Sequence, residues 1–468
     1  MKPVPNGFLL CVSLALWPSW ARATTLDLPA RPGMFWSQPD ALPVTGPMPA
    51  APAGVVHFAS LAALTDHALR ERAETRAAWL GIQAEAARLD VASAANWPTL
   101  TGQLNFTQSR ALSSSGAQVP TLNRYGPGLS LAYVLLDFGA RAASIDAQRY
   151  QLIASLLTGN RTLQDTVAEV EAAYFSLLAA QAQVAAQAQQ VTALRTSLDA
   201  VDARLRGGLA SRADQLRARA ALAEAELASQ TAERDRAKAD AALKQAAGIA
   251  QTQTLALDWQ TAPPDALAAT TLLADLLQEA QRGRPDLQAL QAAATSARFE
   301  AERARAARWP SLSLAATSGR TLFLDSDRSP STTYSVGVAV SVPLFDGGRL
   351  AAQARAAERD AERLQAEAEA QRSQVALAVT DAFYDVRHAQ AQRDGVAVQL
   401  DSASESARAA EARYKTGVGS LLEWLTAEAD LARARQAQAQ ADSGWLAAFS
   451  RLNHALGRLP AASPASPP

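Results

Sequence analysis

The residues best placed to do chemistry in this 468-residue chain are two acids that each follow a serine by three positions. Asp214 follows Ser211 in the segment ARLRGGLASRADQL, and Glu423 follows Ser420 in ARYKTGVGSLLEWL. Ser-x-x-acid is the pattern of a helix capping box, in which the serine oxygen accepts one backbone N–H and the acid accepts another. Each pattern therefore predicts the start of a helix with a carboxylate in its first turn.

A glycine-containing turn precedes each capping pattern. Gly208 and Gly417 lie where the preceding helix would end, a position that favours glycine because glycine adopts positive φ without strain. The two segments also match residue by residue, for example Arg204 with Arg413. The same turn is thus predicted twice, each time between two helices.

No pattern in the sequence indicates catalysis or metal binding. There is no nucleophile elbow, zinc-protease motif or cysteine pair, and the DFG at 137–139 lacks the other kinase motifs. That DFG is interpreted as a strand-to-helix corner. The prediction is a protein that is not an enzyme and holds no cofactor or metal. The histidines have no metal-ligand spacing: His57, His67, His388 and His454.

The match between the two turns extends along most of the chain. The order of matching residues is constant, and the repeat is far longer than a solenoid period. The chain is predicted to contain two copies of one structural unit, at 58–248 and 271–457, joined by a linker at 249–270. The further matches are Arg72 with Arg284, Trp97 with Trp309, Tyr125 with Tyr334, Asp137 with Asp346, Gly139 with Gly348 and Gly248 with Gly457.

Each copy is predicted to fold as a helix, two strands, a very long helix, the turn and another helix. Apolar residues alternate with small or polar ones in the strands, which is the period-two pattern of a sheet with one apolar face. A helix from Ala140 to Leu205 is about 99 Å long. Strands are placed at about 99–108, 127–138, 311–318 and 333–345, and helices at about 62–96, 140–205, 212–247 and 347–414.

Two ordinary β-hairpins on a helical core are one alternative, but helices this long leave no compact core for a hairpin to cap. Strands of about ten residues with one apolar face fit a lipid-facing barrel wall. Four strands are too few to close a barrel, and no strand edge stays unpaired in lipid. Several copies are therefore predicted to share one barrel, and the residues alone allow two, three or four.

The N-terminus predicts export. Residues 1–23 contain a lysine, a short apolar core and the ending Ala21-Arg22-Ala23, which together form a secretory signal peptide. Its removal takes away the one cysteine, Cys11, and leaves a net charge of about −3. Residues 24–57 and 458–468 are rich in Pro and are predicted to be a lead-in and a disordered tail. Nothing in the charge balance indicates nucleic acid.

Four segments together resemble the TolC-like outer-membrane efflux and secretion channels, over about 58–457. Two of them place a strand next to a long helix, SVPLFDGGRLAAQARAAERDAE (341–362) and its counterpart LAYVLLDFGARAASIDAQ (131–148). The others are RYKTGVGSLLEWLTAEADLARARQAQ (413–438) and RPDLQALQAA (284–293). The resemblance implies an α+β membrane channel, a homotrimer whose 12-stranded outer-membrane β-barrel continues into a 12-helix periplasmic α-barrel. It also implies an equatorial belt formed by the mid-chain segment at 249–270 and the terminal segments.

The same resemblance implies the partners and the site. Partners would be outer-membrane lipid, a periplasmic adaptor (membrane fusion) protein and an inner-membrane pump of the RND or ABC type. The duplicated turns would be the periplasmic tips. Gate residues would be Asp214, Glu423, Arg413, Tyr414 and Arg204, and the adaptor would dock on Gly207, Gly208, Leu209, Gly417, Val418 and Gly419. Thr426 replaces a second acid of some family members, so the ring of acids carries less charge here.

The predicted function is a passive exit duct of a tripartite export system across the periplasm and outer membrane. Drug efflux and type I protein secretion are both open from the sequence. An exported structural coiled-coil protein is the alternative, for which unbroken heptads are expected. The alternating strand pairs argue against it.

Overall fold

A computed structural model describes residues 53–110, 121–257, 272–324 and 328–458 of the chain. Within these ranges one order of elements occurs twice. The first half contains β1 (Gly54–Phe58), α1 (Leu61–Glu71), α2 (Ala73–Ala94), β2 (Thr99–Ser109), β3 (Leu122–Leu136), α3 (Ala140–Arg206) and α4 (Arg212–Ala247). The second contains β4 (Gln253–Leu257), α5 (Leu273–Gly283), α6 (Pro285–Ala306), β5 (Ser311–Phe323), β6 (Ser331–Ser341), α7 (Arg349–Thr416) and α8 (Leu421–Leu456).

The end of the predicted lead-in is folded. Its last residues form β1, which pairs in parallel with β4 of the predicted linker. This pairing has a hydrophobic cause, because Phe58, Leu255 and Leu257 pack against a buried cluster that includes Leu64 and Leu243. The predicted signal peptide (1–23), the rest of the lead-in, residues 258–270 of the linker and most of the tail lie outside the described residues.

The single helix predicted near 62–96 is two helices, and its counterpart in the second half is also two. The backbone is extended at Arg72 (φ −63°, ψ 138°) and at Arg284 (φ −76°, ψ 121°). Pro285 explains the second break, since a residue before proline avoids helical angles. No proline follows Arg72. At this break the Arg72 side chain donates a hydrogen bond to Glu169 at 2.6 Å.

Four antiparallel strands form one sheet in the order β2-β3-β5-β6. Three boundaries differ from the prediction: β3 starts earlier, β5 runs on to Phe323 and β6 ends at Ser341. The inner strands are long because they pair on both sides, as Arg124 does with Phe323. β6 stops before Pro343, which has no N–H to donate to the ladder.

One face of this sheet is apolar and exposed. It carries Leu104 and Phe106 of β2, which are 77% and 66% exposed, and Val336 and Val338 of β6, at 72% and 61%. The opposite face carries hydroxyl, amide and small side chains. Within the described chain, β2 and β6 each pair with one neighbour only, so both edges of the sheet are open.

The long helices α3 and α7 contain 67 and 68 residues and are each about 100 Å long. Each forms an antiparallel hairpin with a 36-residue partner, α4 or α8. The shorter α2 and α6 pack against the sheet-proximal parts of the same long helices. Two short helices thus lie along one long helix, as expected from their lengths. No helix in the described ranges is long and apolar enough to cross a membrane.

Two buried clusters hold the middle of the chain together. The larger one joins α5, α6, α7 and α8 through residues such as Phe383 and Trp445, and the other joins α1, α3 and α4 through Leu64 and Tyr174. Leu446 of α8 packs against both clusters. The hairpins extend away from this region, so their turns lie at the far end from the sheet.

Candidate functional site at the two helix turns

The two turns end their first helices in the same way. The N–H of Leu209 donates to the carbonyl of Arg204 at 2.8 Å, and the N–H of Val418 donates to that of Arg413 at 3.0 Å. These are the long bonds of a Schellman motif, which requires positive φ just before the donor. Gly208 (φ 71°) and Gly417 (φ 83°) provide it. The helix-ending role predicted for both glycines agrees with these angles.

The capping box predicted after the first turn is present. The N–H of Asp214 donates to Ser211 Oγ at 3.1 Å, and the N–H of Ser211 donates back to Asp214 Oδ2 at 3.2 Å. The Ser211 hydroxyl also donates to the same carboxylate at 2.7 Å. These bonds from the Ser211 side chain and backbone hold the pKa of Asp214 below its usual range. Asp214 is therefore a firmly ionised carboxylate at the start of α4.

The second capping box is only half formed, which corrects the prediction. The N–H of Glu423 donates to Ser420 Oγ at 3.2 Å, but the Glu423 carboxylate does not accept the N–H of Ser420. Instead Glu423 Oε2 lies 3.9 Å from Arg413 Nη2 across the turn. Both side chains are more than half exposed, so this ion pair contributes little to stability.

Arg204 joins the two hairpins. Its Nη1 donates to the carbonyl of Tyr414 at 2.5 Å, and its guanidinium lies 4.7 Å from the centroid of the Tyr414 ring. Cation–π contact and a charge-assisted hydrogen bond therefore act on the same residue. Tyr414 is 6% exposed and its ring is 5.2 Å from that of Trp424. Burial, opposed by Arg204, raises the pKa of the Tyr414 hydroxyl.

A small hydrophobic core supports this contact. Val201, Ala218, Leu421 and Trp424 pack with Tyr414, so all four helices of the hairpins contribute to it. The prediction from sequence missed Trp424 and Val201. Trp424 could have been found, because it follows Glu423 directly and is the one tryptophan in either turn segment.

The predicted gate residues do not form one cluster. Arg204 and Tyr414 are in contact between the hairpins, whereas the one ion pair of Arg413 with a described residue is that with Glu423 in its own hairpin. Asp214 lies close enough to Tyr414 to contribute to its raised pKa, although less than burial does. The site thus consists of one buried contact between hairpins and two acids at its exposed rim.

The predicted docking residues form the outermost surface of the turns. Leu209 and Val418 are 72% and 74% exposed, which is unusual for aliphatic side chains. Gly419 is tightly enclosed, since a Cβ there would lie 2.9 Å from the Cβ of Arg413. Gly208 faces open space. No group of three or more metal-ligating residues occurs in the described part of the chain.

Comparison with known proteins identifies this architecture. A solved structure of a membrane protein from Pseudomonas aeruginosa matches with a TM-score of 0.77 at 25% identity, over 89% of this chain and 97% of that one. The outer-membrane channel OprN matches with a TM-score of 0.75 at 24% identity, over 85% and 89%. Paired long helix hairpins on a four-stranded sheet are therefore the α+β fold that this chain shares with both structures.

The chain belongs to the outer membrane efflux protein family, whose model matches residues 64–249 and 276–458. Each match covers most of one half of the duplication. The chain is 29% identical to Protein CyaE of Bordetella pertussis, over 91% of this chain and 90% of that one. It is 24% identical to outer membrane efflux protein BepC of Brucella suis over 84% of each, and 27% identical to proteases secretion protein PrtF of Dickeya chrysanthemi over 84% and 87%.

These findings bear out the resemblance seen in the sequence. The chain is an outer-membrane component of bacterial export, a channel protein that extends into the periplasm. The alternative of an exported coiled-coil protein does not fit, because the sheet of four strands interrupts the helices in both halves.

Proposed function

We propose that the chain is one third of a homotrimeric exit duct, closed at the helix turns until a periplasmic partner docks there. The observation that carries the proposal is the sheet, whose apolar face is exposed and whose two edges, β2 and β6, are open. An open edge in lipid leaves backbone groups without partners at high cost. Pairing β6 of one copy with β2 of the next removes every open edge.

Three copies supply twelve strands, which is within the range of closed outer-membrane barrels. The apolar face then lies against lipid and the face with hydroxyl and amide groups lines the lumen. The same three copies bring together six helix hairpins, each built on a helix about 100 Å long, as the wall of a periplasmic tunnel. Such a duct needs no catalytic group of its own, and the driving force comes from an inner-membrane pump.

The closed end of the tunnel is formed by the turns. Arg204 and Tyr414 hold the two hairpins of one subunit against each other, which keeps the tips together. Asp214 and Glu423 of three copies place about six carboxylates around one axis, where like charges repel and attract cations or basic partners. Separating the hairpins breaks the Arg204 contact and opens the end.

The partner is an adaptor protein that links the duct to an inner-membrane pump of the RND or ABC type. Leu209 and Val418 are suited to meet it because both are aliphatic, exposed and at the extreme of the turns. Gly419 keeps Val418 in place, since any side chain at Gly419 would collide with Arg413. A Gly419→Val variant should lose export. Gly207→Ala should lose much less, because Gly207 has a φ of −82° and a Cβ there would meet no atom closer than 3.5 Å.

Small molecules and proteins are both candidate cargo. The relative PrtF is named for protease secretion and BepC for efflux, and the chain aligns with most of each. Export of a marker protein and resistance to toxic small molecules, measured in the same deletion strain, distinguish the two.

Reconstitution tests the duct directly. The full-length protein, purified in detergent, should run as one trimer and form discrete, low-conductance channels in a planar bilayer. The Arg204→Ala variant should conduct more than the wild type. The proposal would be refuted if the wild type and the Arg204→Ala variant were both folded by circular dichroism but were monomers that formed no channels in the bilayer.

A further inference from the structure

The apolar face of the sheet carries one charged side chain among the described strand residues, that of Arg320. Residues of β5 alternate between faces, so Arg320 shares a face with Leu312, Leu314 and Leu322. Its cross-strand partner on β6 is Thr332. The only other charged residue in the described part of this sheet, Arg124, lies on the opposite face, opposite Phe323. Arg320 is thus a single cation on a face without other charge, which suits an anionic partner from outside the sheet.

Two tyrosines flank Arg320. Tyr334 pairs with Ser318 and Tyr125 pairs with Leu322, which places one tyrosine on each side of Arg320 along the same face. Diagonal neighbours in a sheet are close enough for long and aromatic side chains to meet. Both are open to the surroundings, Tyr334 at 85% and Tyr125 at 38% exposure. Arg320 is exposed as well and forms no ion pair with another described residue.

The height of Arg320 on the sheet fits the outer boundary of the apolar band. From Ser311, where β5 leaves the helices, to Arg320 the strand covers about 30 Å. At a strand tilt of about 40° this is about 23 Å of height, close to the roughly 25 Å of an outer-membrane apolar band. Tyrosines are enriched at that level because a ring faces lipid chains while its hydroxyl faces headgroups.

We infer that Arg320, Tyr125 and Tyr334 bind the phosphate-bearing headgroup of a lipid in the outer leaflet. Arginine presents two parallel N–H donors that match phosphate oxygens, and the tyrosine hydroxyls add neutral donors beside them. The acyl chains of the same lipid lie along Val336, Val338 and the rest of the apolar face. The inference rests on the proposed function, since it needs the apolar face to lie in the membrane.

The test measures lipid binding to the purified full-length trimer by native mass spectrometry. Lipid A with both phosphates is titrated onto the wild type and onto Arg320→Gln, Arg320→Lys and Arg124→Gln. Arg124→Gln is the matched control, since it removes an arginine from the other face of the same sheet, opposite Phe323 and three residues beyond Arg320. We expect Arg320→Gln to weaken lipid A binding about tenfold or more and Arg320→Lys to weaken it less. Arg124→Gln should bind as the wild type does.

Two further arms identify the source of the phosphate. Removal of the phosphates from lipid A should weaken binding to the wild type as much as Arg320→Gln does. Inorganic phosphate should not displace lipid A, because it lacks the acyl chains. Equal binding by Arg320→Gln and wild type, or equal loss in Arg124→Gln, would overturn the inference. A wild type that is recovered outside the outer membrane and binds neither lipid A nor phosphatidylethanolamine would instead overturn the proposed function.

Discussion

The guanidinium of Arg204 lies 4.7 Å from the ring centroid of Tyr414 and donates to the Tyr414 carbonyl at 2.5 Å. Arg204 ends the long helix of the first half and Tyr414 that of the second, so this contact is where the two hairpins meet. In Arg204→Ala and Tyr414→Ala variants we expect higher single-channel conductance and greater uptake of large antibiotics. Either change removes the cation–π contact, and Tyr414→Ala also removes the packing against Trp424.

Two arginines provide matched controls for that prediction. Among the described residues Arg413 forms an ion pair with the exposed Glu423 alone, and Arg206 lies two residues after Arg204 on the same helix. Arg413→Ala should raise conductance much less than Arg204→Ala, and Arg206→Ala should leave it near the wild-type value. Equal leakage in all three variants would show that total charge at the turns, rather than this contact, keeps the duct closed.

Charge at the rim should control ion selectivity. In an Asp214→Asn, Glu423→Gln double variant we expect lower cation selectivity and weaker block by multivalent cations, because about six carboxylates per trimer are removed. Asn and Gln keep the shape, so the helix starts should survive the change. Reversal potentials in a salt gradient measure the effect. Unchanged reversal potentials would leave Asp214 with its capping role and Glu423 with its ion pair to Arg413.

A glycine at the end of each half packs against an arginine at its beginning. A Cβ on Gly457 would lie 3.1 Å from Arg284 Cγ, and one on Gly248 would lie 3.2 Å from Arg72 Cγ. Both glycines have positive φ, 76° and 72°. Gly457→Ala should therefore lower the free energy of unfolding by about 1–3 kcal/mol.

Gly395 supplies the control for this substitution. It lies inside α7, and a Cβ added there would meet no atom within 4 Å. Gly395→Ala should therefore be neutral or raise the free energy of unfolding by up to about 1 kcal/mol, because alanine favours helix over glycine. Urea-induced unfolding followed by circular dichroism compares the two. Equal stability of Gly457→Ala and wild type would contradict the close contact with Arg284.

Lowering the pH should destabilise the middle of the chain, because His454 is then protonated. Its Nε2 lies 2.7 Å from Arg161 Nη2 and 2.6 Å from Asp165 Oδ1, and Arg284 adds a second positive charge nearby. Burial, aided by the two arginines and opposed by Asp165, lowers the pKa of His454. The unfolded chain then takes up the proton more readily. Stability from this group is complete above about pH 6.5 and is lost as the pH falls.

A His454→Gln variant should remove that loss. Thermal unfolding of wild type, His454→Gln and the control His388→Gln is followed between pH 7.5 and 5. As the pH falls, the midpoint temperature of unfolding should decrease equally in the wild type and in His388→Gln. It should decrease less in His454→Gln. Parallel curves for all three would assign the acid sensitivity to other groups.

Much of this fold could be predicted from the sequence because the duplication repeats each signal. Period-two alternation identified all four strands of the sheet, and Gly208 and Gly417 identified both turns. The extended backbone at Arg72 could not be predicted, because no local signal replaces the proline that follows Arg284. The Arg72 side chain contacts Glu169, which is far away in the sequence, as well as the nearby Glu74.

The candidate site was predictable in its residue types and not in its contacts. Arg204 and Arg413 hold equivalent positions in the repeat, yet only Arg204 crosses to the other hairpin. That difference depends on how the hairpins pack, which sequence symmetry does not specify. Ser420 and Glu423 likewise have the pattern of a capping box, but the Glu423 carboxylate lies near Arg413 and does not accept the Ser420 N–H.

The central claim is that three copies close one barrel through β6 of one copy and β2 of the next. Disulfide formation tests it most directly, in a Cys11→Ser background that has no other cysteine. One cysteine replaces Thr101 in β2. In three separate variants, a second cysteine replaces Thr333, Ser335 or Gly337 in β6, all on the polar face. Ser130 and Thr317, which pair within one chain, give the intrachain control. The account predicts that one of the three β6 positions gives a disulfide-linked trimer on a non-reducing gel of oxidised outer membranes. If none of the three positions gives a crosslink between chains, the account is contradicted.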